Sequence, residues 1–389
     1  MKSIYIFLSI ATIVLSGCAS GTSQSSTLDW NENSEIPAAD GKSIQPGLAG
    51  ALIGVSNDCL IIAGGANFPD GLPWKGGIKI YHNIVYAAKK DTNDEFTWIQ
   101  SSDTLSKPFG YSANVAYQNG FISVGGENSD GPLASVSYWT WDIQKNKILK
   151  NEYPALPHAI TNTSAAILNN KLFVIGGENQ MEAFSDVWYL DLDDQEKGWQ
   201  QGPQLPRPTS HSVAVISSNS TASHLYVIGG RSKQENGISQ LYNQVLELDV
   251  ENSLWIEKPK IGDGDSTLSA LSAATAITQG DYIYVMGGDN GEIFHKIESF
   301  AKQAKETQSE TQREDFLSKQ YKLAEQHPGF SKDVFQYNTV TNKWIKINQM
   351  PYAPVTTTAL IWGNDIIIPT GEIHPGIRTP KILRAKLPK

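Results

Sequence analysis

Ser164-Ala-Ala-Ile-Leu-Asn-Asn-Lys-Leu-Phe-Val-Ile-Gly-Gly177 consists of two short apolar runs joined by an asparagine pair and closed by two glycines. Asparagine tolerates positive φ at low cost, so Asn169-Asn170 between apolar runs predicts a tight β-hairpin. A hairpin of this length cannot bury both faces by itself. It needs neighbours of its own kind, and the chain supplies them.

Apolar runs closed by a glycine pair recur at Gly64-Gly65, Gly125-Gly126, Gly229-Gly230 and Gly287-Gly288, and Asp365-Ile-Ile-Ile-Pro-Thr-Gly371 forms an imperfect sixth copy. Successive copies are 61, 51, 53, 58 and 83 residues apart. Recurrence near 50 residues with variable loops marks a propeller array, in which each unit buries its faces against the next. Asn57-Asp58, Asn119-Gly120, Gly280-Asp281 and Gly363-Asn364 provide hairpin turns in other copies. Each unit continues with a third run, such as Asp186-Val-Trp-Tyr-Leu-Asp191, and a fourth around Trp98, Trp199, Trp255 or Trp344; the second unit has Lys147-Ile-Leu-Lys150 instead. Four strands in each of six units predict an all-β, six-bladed Kelch-type β-propeller over residues 28–389.

The sixth unit ends after its third run, Pro380 to Leu387. Thr27-Leu-Asp-Trp30 and Ile36-Pro37 near the start have the form of an orphan fourth strand, so the N-terminus is expected to close the ring. The 83-residue interval holds an insertion at about 291–328, where Ile293, Ile297, Phe300, Ala301 and Ala304, then Phe316, Leu317, Tyr321 and Ala324, follow helical spacing. Two helices are expected there, walling a pocket on one face of the propeller.

The chain carries 31 Lys+Arg against 40 Asp+Glu and no basic stripe, which argues against nucleic acid as a partner. Residues 1–17 have the lysine, apolar core and small-residue end of an export signal. Leu15-Ser16-Gly17-Cys18 resembles a bacterial lipobox, which implies lipid attachment at Cys18, a flexible tether over 18–27, and a cell-envelope lipoprotein facing the periplasm whose only membrane contact is that anchor. The remaining Cys59 lies in an apolar run and reads as a buried, inert residue.

Because the units are equivalent, residues following each glycine pair should surround one mouth of the central channel: Ala66-Asn67, Glu127-Asn128, Glu178-Asn179, Arg231-Ser232, Asp289-Asn290 and Glu372. Such a ring of carboxylates, amides and cations suits a polyhydroxylated ligand. In an acidic protein, an anionic ligand needs a locally placed arginine. Arg207, Arg231, Asn67 and Asn290 are therefore candidate substrate-binding residues; Lys107, His158 and His211 should face the same side. The seven histidines show no paired metal-ligand spacing, so no metal is expected. No nucleophile elbow, phosphate loop or dinucleotide fingerprint appears. Glu372 and Arg378, flanking the turn at Pro375-Gly376, remain as candidates for acid–base chemistry.

The repeats resemble Kelch repeats, and the chain more closely resembles the bacterial N-acetylneuraminate (sialic acid) epimerase/mutarotase family. The resemblance rests on Gly371-Glu-Ile-His-Pro-Gly-Ile-Arg378, on the insertion entered by Asp289-Asn-Gly-Glu-Ile-Phe294, and on Gly50-Ala-Leu-Ile-Gly-Val-Ser-Asn-Asp-Cys-Leu-Ile-Ile-Ala-Gly-Gly65. The blade order matches a cyclically permuted branch. The resemblance implies an isomerase without a cofactor, interconverting the α and β anomers of sialic acid or a related anionic sugar, with Glu372 as proton acceptor and Arg378 in the substrate site. A non-catalytic Kelch lectin or surface-interaction lipoprotein is the alternative, and a copper radical oxidase is disfavoured by the lack of a histidine pair.

Overall fold

The computed structural model describes residues 27–39, 41–100, 103–218, 222–265 and 267–388, so the leader and Cys18 lie outside the described residues. Six four-stranded antiparallel sheets are arranged as a six-bladed propeller. Blade 3 shows the pattern: Ser164–Leu168 pairs with Lys171–Ile175, then Val187–Asp191 and Gln200–Gln201 follow outward. Blade 6 takes Leu360–Trp362, Asp365–Pro369 and Lys381–Lys386 from the end of the chain and Trp30–Glu35 from its beginning. Trp30 lies opposite Ala385 and Glu35 opposite Lys381, so the N-terminal strand closes the ring and covers an open sheet edge.

The buried apolar residues fall into six clusters, one between each pair of adjacent blades. Leu52 and Ile61 of blade 1 meet Phe121 and Trp141 of blade 2, and Tyr226 of blade 4 meets Ile283 and Phe335 of blade 5. Ile53 and Leu60 of blade 1 meet Trp362 and Ile367 of blade 6. The outer tryptophans also tie blades together: the indole N–H groups of Trp199, Trp255 and Trp344 donate to the carbonyls of Pro154, Pro203 and Pro259 at 2.9, 2.8 and 2.9 Å. Cys59 is fully buried in the seam of blades 1 and 2, where burial raises its thiol pKa. It is inert, as its apolar run predicts.

Around the axis, each blade contributes one residue in the left-handed backbone region: Gly50, Tyr111, Asn162, His211, Ala273 and Thr356. Their peptide groups are chained. The N–H of Tyr111 donates to Gly50 (2.7 Å), Asn162 to Tyr111 (3.2 Å), His211 to Asn162 (2.9 Å), Ala273 to His211 (2.9 Å) and Gly50 to Thr356 (2.7 Å). A second tier runs from the second glycine of each pair to the next blade, as in Gly177 N–H to Thr209 O and Gly230 N–H to Leu271 O. The first glycine is required by close approach: at Gly176, with φ of 58°, a Cβ would lie 2.1 Å from the Thr209 carbonyl oxygen.

Between blades 5 and 6, neither tier has its counterpart among the described residues, and a Cβ on Gly287 would stand 3.5 Å from the Pro354 carbonyl oxygen. This seam is wider than the others. Hydrogen exchange should therefore be faster at the amides of Gly288 and Thr356 than at their counterparts Gly230 and Ala273, by roughly tenfold or more; equal protection would contradict a looser seam.

The closing seam is drawn tighter. Thr370, which replaces a glycine of the repeat, holds φ of 52° and is fully buried. Its hydroxyl accepts from Leu48 N–H at 2.7 Å and lies 2.8 Å from the carbonyl oxygens of Leu48 and Thr379. The imperfection in the sixth repeat is a stitch across the ring closure.

The insertion forms two helices, α1 (Glu292–Glu306) and α2 (Glu310–Glu325), between the second and third strands of blade 5. Ser309 caps α2, and Phe300 stacks on Phe316 between the helices. Glu298 of α1 accepts both the amide and the hydroxyl hydrogen bonds of Ser239 in blade 4, which holds the helices over the propeller face.

Candidate active site

The first residue after each glycine pair bridges to the strand entrance of its own blade: Ala66 to Ala49, Glu127 to Gly110, Glu178 to Thr161, Arg231 to Ser210, Asp289 to Ser272 and Glu372 to Val355. Six equivalent positions thus surround one end of the channel. Above them lies a chamber of about 500 Å³, within the size range of small-ligand sites. Arg231, Asp289, His211 and Glu372 come from the ring, while Phe294 of α1 and Tyr321 of α2 form the opposing wall. The helices therefore cap the chamber. His211, Ala273 and Thr356 also border the narrower axial channel beneath, which has a volume of about 180 Å³.

A loop from blade 1 completes the roof. Trp74 stacks on Tyr321 with ring centroids 6.5 Å apart, and its indole N–H donates to Glu325 at 3.1 Å. Lys75 pairs with the same carboxylate at 2.9 Å. Beneath this loop sits the blade 6 hairpin, Glu372–His374 and Ile377–Arg378, turned through Pro375-Gly376 with Gly376 at φ of 75°. A Cβ on Gly376 would come within 3.0 Å of Leu72.

The hairpin register puts Glu372 directly opposite Arg378, so the two side chains share a face. Arg378 Nη2 lies 2.8 Å from Glu372 Oε2, and the Gly376 amide donates to Oε1 at 3.2 Å. Burial raises the Glu372 pKa, and the Arg378 cation opposes that shift. Arg378 does not line the chamber. Its side chain is only 4% exposed, its guanidinium lies 4.7 Å from the Phe68 ring centroid, and its Nε and Nη1 have no hydrogen-bond partner among the described residues. Tyr111 is beside this pair. Burial pushes its phenol up to about 12, Arg378 opposing and Glu372 reinforcing the rise.

The other candidates separate cleanly. Arg231 lines the chamber. Asn67 is buried outside it, its amide donating to Gly47 O at 2.8 Å and its oxygen 2.8 Å from His82 Nε2. Asn290 is exposed and accepts the Glu292 amide at the start of α1. Arg207 lies over the Tyr242 ring at 4.1 Å and is not part of the chamber wall. Lys107 is exposed, and His158 packs against Phe184.

Sequence reasoning did not single out Tyr111, Trp74 or His327. His327 lines the chamber and accepts the Gly329 amide on Nδ1 at 3.1 Å, so its neutral form carries the proton on Nε2. Burial lowers its pKa and favours that neutral form. The segment abuts the blade 6 hairpin: His374 Nδ1 lies 2.8 Å from the His327 carbonyl oxygen. Only position along a loop preceding Pro328-Gly329 could have suggested it.

A profile of the N-acetylneuraminate epimerase family matches residues 15–148 and 153–389. N-acetylneuraminate epimerase of Haemophilus influenzae (strain PittEE) is 25% identical over 236 residues, covering 60% of this chain and 59% of that protein. The enzyme of Salmonella typhimurium is 26% identical over 237 residues, covering 60% and 58%, and that of Yersinia enterocolitica is 28% identical over 246 residues, covering 60% and 57%. These matches span less than two thirds of each relative. With the profile extending over nearly the whole chain, this protein belongs to the N-acetylneuraminate epimerase family.

Proposed function

We propose that this protein is a mutarotase that interconverts the α and β anomers of N-acetylneuraminate or a related acidic sugar by ring opening and reclosure. The observation that carries this reading is a half-buried carboxylate, Glu372, on the wall of a capped chamber, held by Arg378 and the Gly376 amide. Membership of the family supports the substrate class.

In this mechanism Glu372 accepts the proton of the anomeric hydroxyl as the C–O bond to the ring oxygen breaks. The anomeric hydroxyl oxygen and the ring oxygen are bonded to the same carbon, so the carboxyl that has taken the proton can deliver it to the departing ring oxygen. The open-chain ketone rotates, and reclosure from the other face reverses the transfer. Atoms and electrons balance without a cofactor. Burial serves this role because a carboxylate with a raised pKa is the stronger base once ionised. The capped chamber holds the open chain near the base.

Arg378 positions Glu372 and favours its ionised form against the effect of burial. Arg378→Gln removes the cation that opposes burial, so the Glu372 pKa should rise further. The expected result is a fall in rate near neutral pH with the pH–rate midpoint displaced upward. A lower rate with an unmoved midpoint would contradict this positioning role. The reading as a whole is tested by following anomer exchange of N-acetylneuraminate by NMR in the presence and absence of the protein.

A further inference from the structure

Arg231 is a chamber cation without a carboxylate: among the described residues, none lies within ion-pairing distance of it. Arg378 differs, because Glu372 engages it and its guanidinium is shielded behind the wall. The support beneath Arg231 is specific. Its Nη2 lies 3.4 Å from His211 Nε2, and an arginine can only donate, so that ring nitrogen must accept. The His211 proton then resides on Nδ1, which lies 3.1 Å from Ser210 Oγ and 3.6 Å from Glu178 Oε1. Ser210 in turn donates to Glu178 Oε2 at 2.8 Å, and the Asn162 amide donates to Oε1 at 2.9 Å.

This chain, Glu178 to Ser210 to His211 to Arg231, crosses blades 3 and 4 and fixes the guanidinium from below. From above, Phe294 of α1 covers it, with the guanidinium carbon 4.8 Å from the ring centroid. Stacking occupies a face of the fork and leaves donor edges, the arrangement that suits a planar carboxylate. Glu372 stands on the same chamber two blades away.

We propose that Arg231 is the carboxylate anchor of the chamber, binding the acid group of the sugar while Glu372 acts at the adjacent anomeric carbon, and that Arg378 does not touch the substrate. This rests on the mutarotase reading of Glu372 for its catalytic consequence, but the anchor can be measured as binding alone. In a 2-keto sugar acid the carboxylate is attached to the anomeric carbon, so anchoring one group orients the other. Anionic selectivity then comes from Arg231.

The test compares N-acetylneuraminate with its methyl ester, in which the charge is removed, using calorimetric binding and NMR exchange rates. Wild type should prefer the acid. Arg231→Gln should weaken the acid by about 10- to 100-fold, leave the ester within about twofold, and so erase the preference. Arg231→Lys should recover part of it, because charge returns without the planar fork, which separates an anchoring loss from misfolding. Glu372→Gln should keep the preference while losing turnover. Equal weakening of acid and ester in Arg231→Gln, or retention of the preference, would overturn the anchor. If wild type binds the acid through Arg231 without accelerating exchange, the anchor stands and the mutarotase reading falls; if wild type shows no preference for the acid, the anchor falls.

Discussion

Glu372→Gln should lower the protein-dependent anomer exchange rate by about 10²- to 10⁴-fold, the contribution expected of a positioned general base. Glutamine preserves the shape of the side chain, and its one carbonyl oxygen can accept from either Arg378 or the Gly376 amide, so one of the two hydrogen bonds that hold the hairpin is kept. Retention of the full rate would remove Glu372 from the mechanism. The pH dependence follows from the same group. Its base function needs the ionised carboxylate, and burial raises its pKa, so the rate should climb through a midpoint above the ordinary glutamate range. The stability linkage has the opposite sense. A carboxyl with a raised folded-state pKa favours folding below its unfolded pKa, and that contribution is lost as pH rises through the folded value. Activity and stability are thus expected to trade against each other at this residue.

Asp365→Asn should destabilise the protein by about 3–5 kcal/mol, because it removes the buried central anion of an ionic cluster and leaves Arg384 and Lys90 without that partner. Asp365 is fully buried in blade 6, with Arg384 Nη2 at 2.6 Å and Lys386 Nζ at 2.7 Å, and it also pairs with Lys90 of blade 1. Asp94, on the same blade 1 hairpin as Lys90, pairs with Arg384 and with Lys386 at 2.8 Å. The cluster therefore locks the blade formed from both chain ends to its neighbour. Burial pushes the Asp365 pKa up, but hydrogen bonds from Arg384, Lys386 and Lys90 outweigh it, and the net shift is downward. A carboxyl with a depressed folded-state pKa stabilises the fold above its unfolded pKa, near 3.9, and loses that contribution as pH falls towards the folded value. Denaturant unfolding should show a large loss in Asp365→Asn at pH 7 that shrinks in acid. A loss below about 1 kcal/mol at pH 7 would mean that the cluster does not secure the ring.

The blades were legible because each carries its own local signals, with turn asparagines and glycines between alternating apolar runs. The ring closure by Trp30–Glu35 followed from counting, since the sixth unit lacked a strand. The site was legible in part, and strand periodicity explains which part. The first residue after each glycine pair reaches the mouth, which retains Arg231, Asp289 and Glu372. In Asn67 and Asn290, the second position, the side chain turns to backbone partners instead. Arg207 belongs to a strand approach, where a neighbouring aromatic ring, Tyr242, engages it.

Other features depend on contacts between distant segments. Trp74 meets Tyr321 across 247 positions of sequence, and no local pattern in either segment announces the pairing. His327 reaches the chamber only because the helical cap returns the chain beside the Glu372 hairpin. Thr370 makes the sixth copy imperfect in the sequence, and what its hydroxyl does there, across the closing seam, is seen only in the fold. The proposed base, Glu372, lies two residues later, in the hairpin that holds it.

Anomer exchange on an acidic keto sugar is the chemistry proposed for the chamber. α-N-acetylneuraminate freshly released from a glycoside should be followed by NMR as it converts to the β anomer, with protein, without protein, and with Glu372→Gln. The predicted result is conversion faster than in buffer for wild type and close to buffer for the variant. Wild-type conversion at the buffer rate would contradict that chemistry.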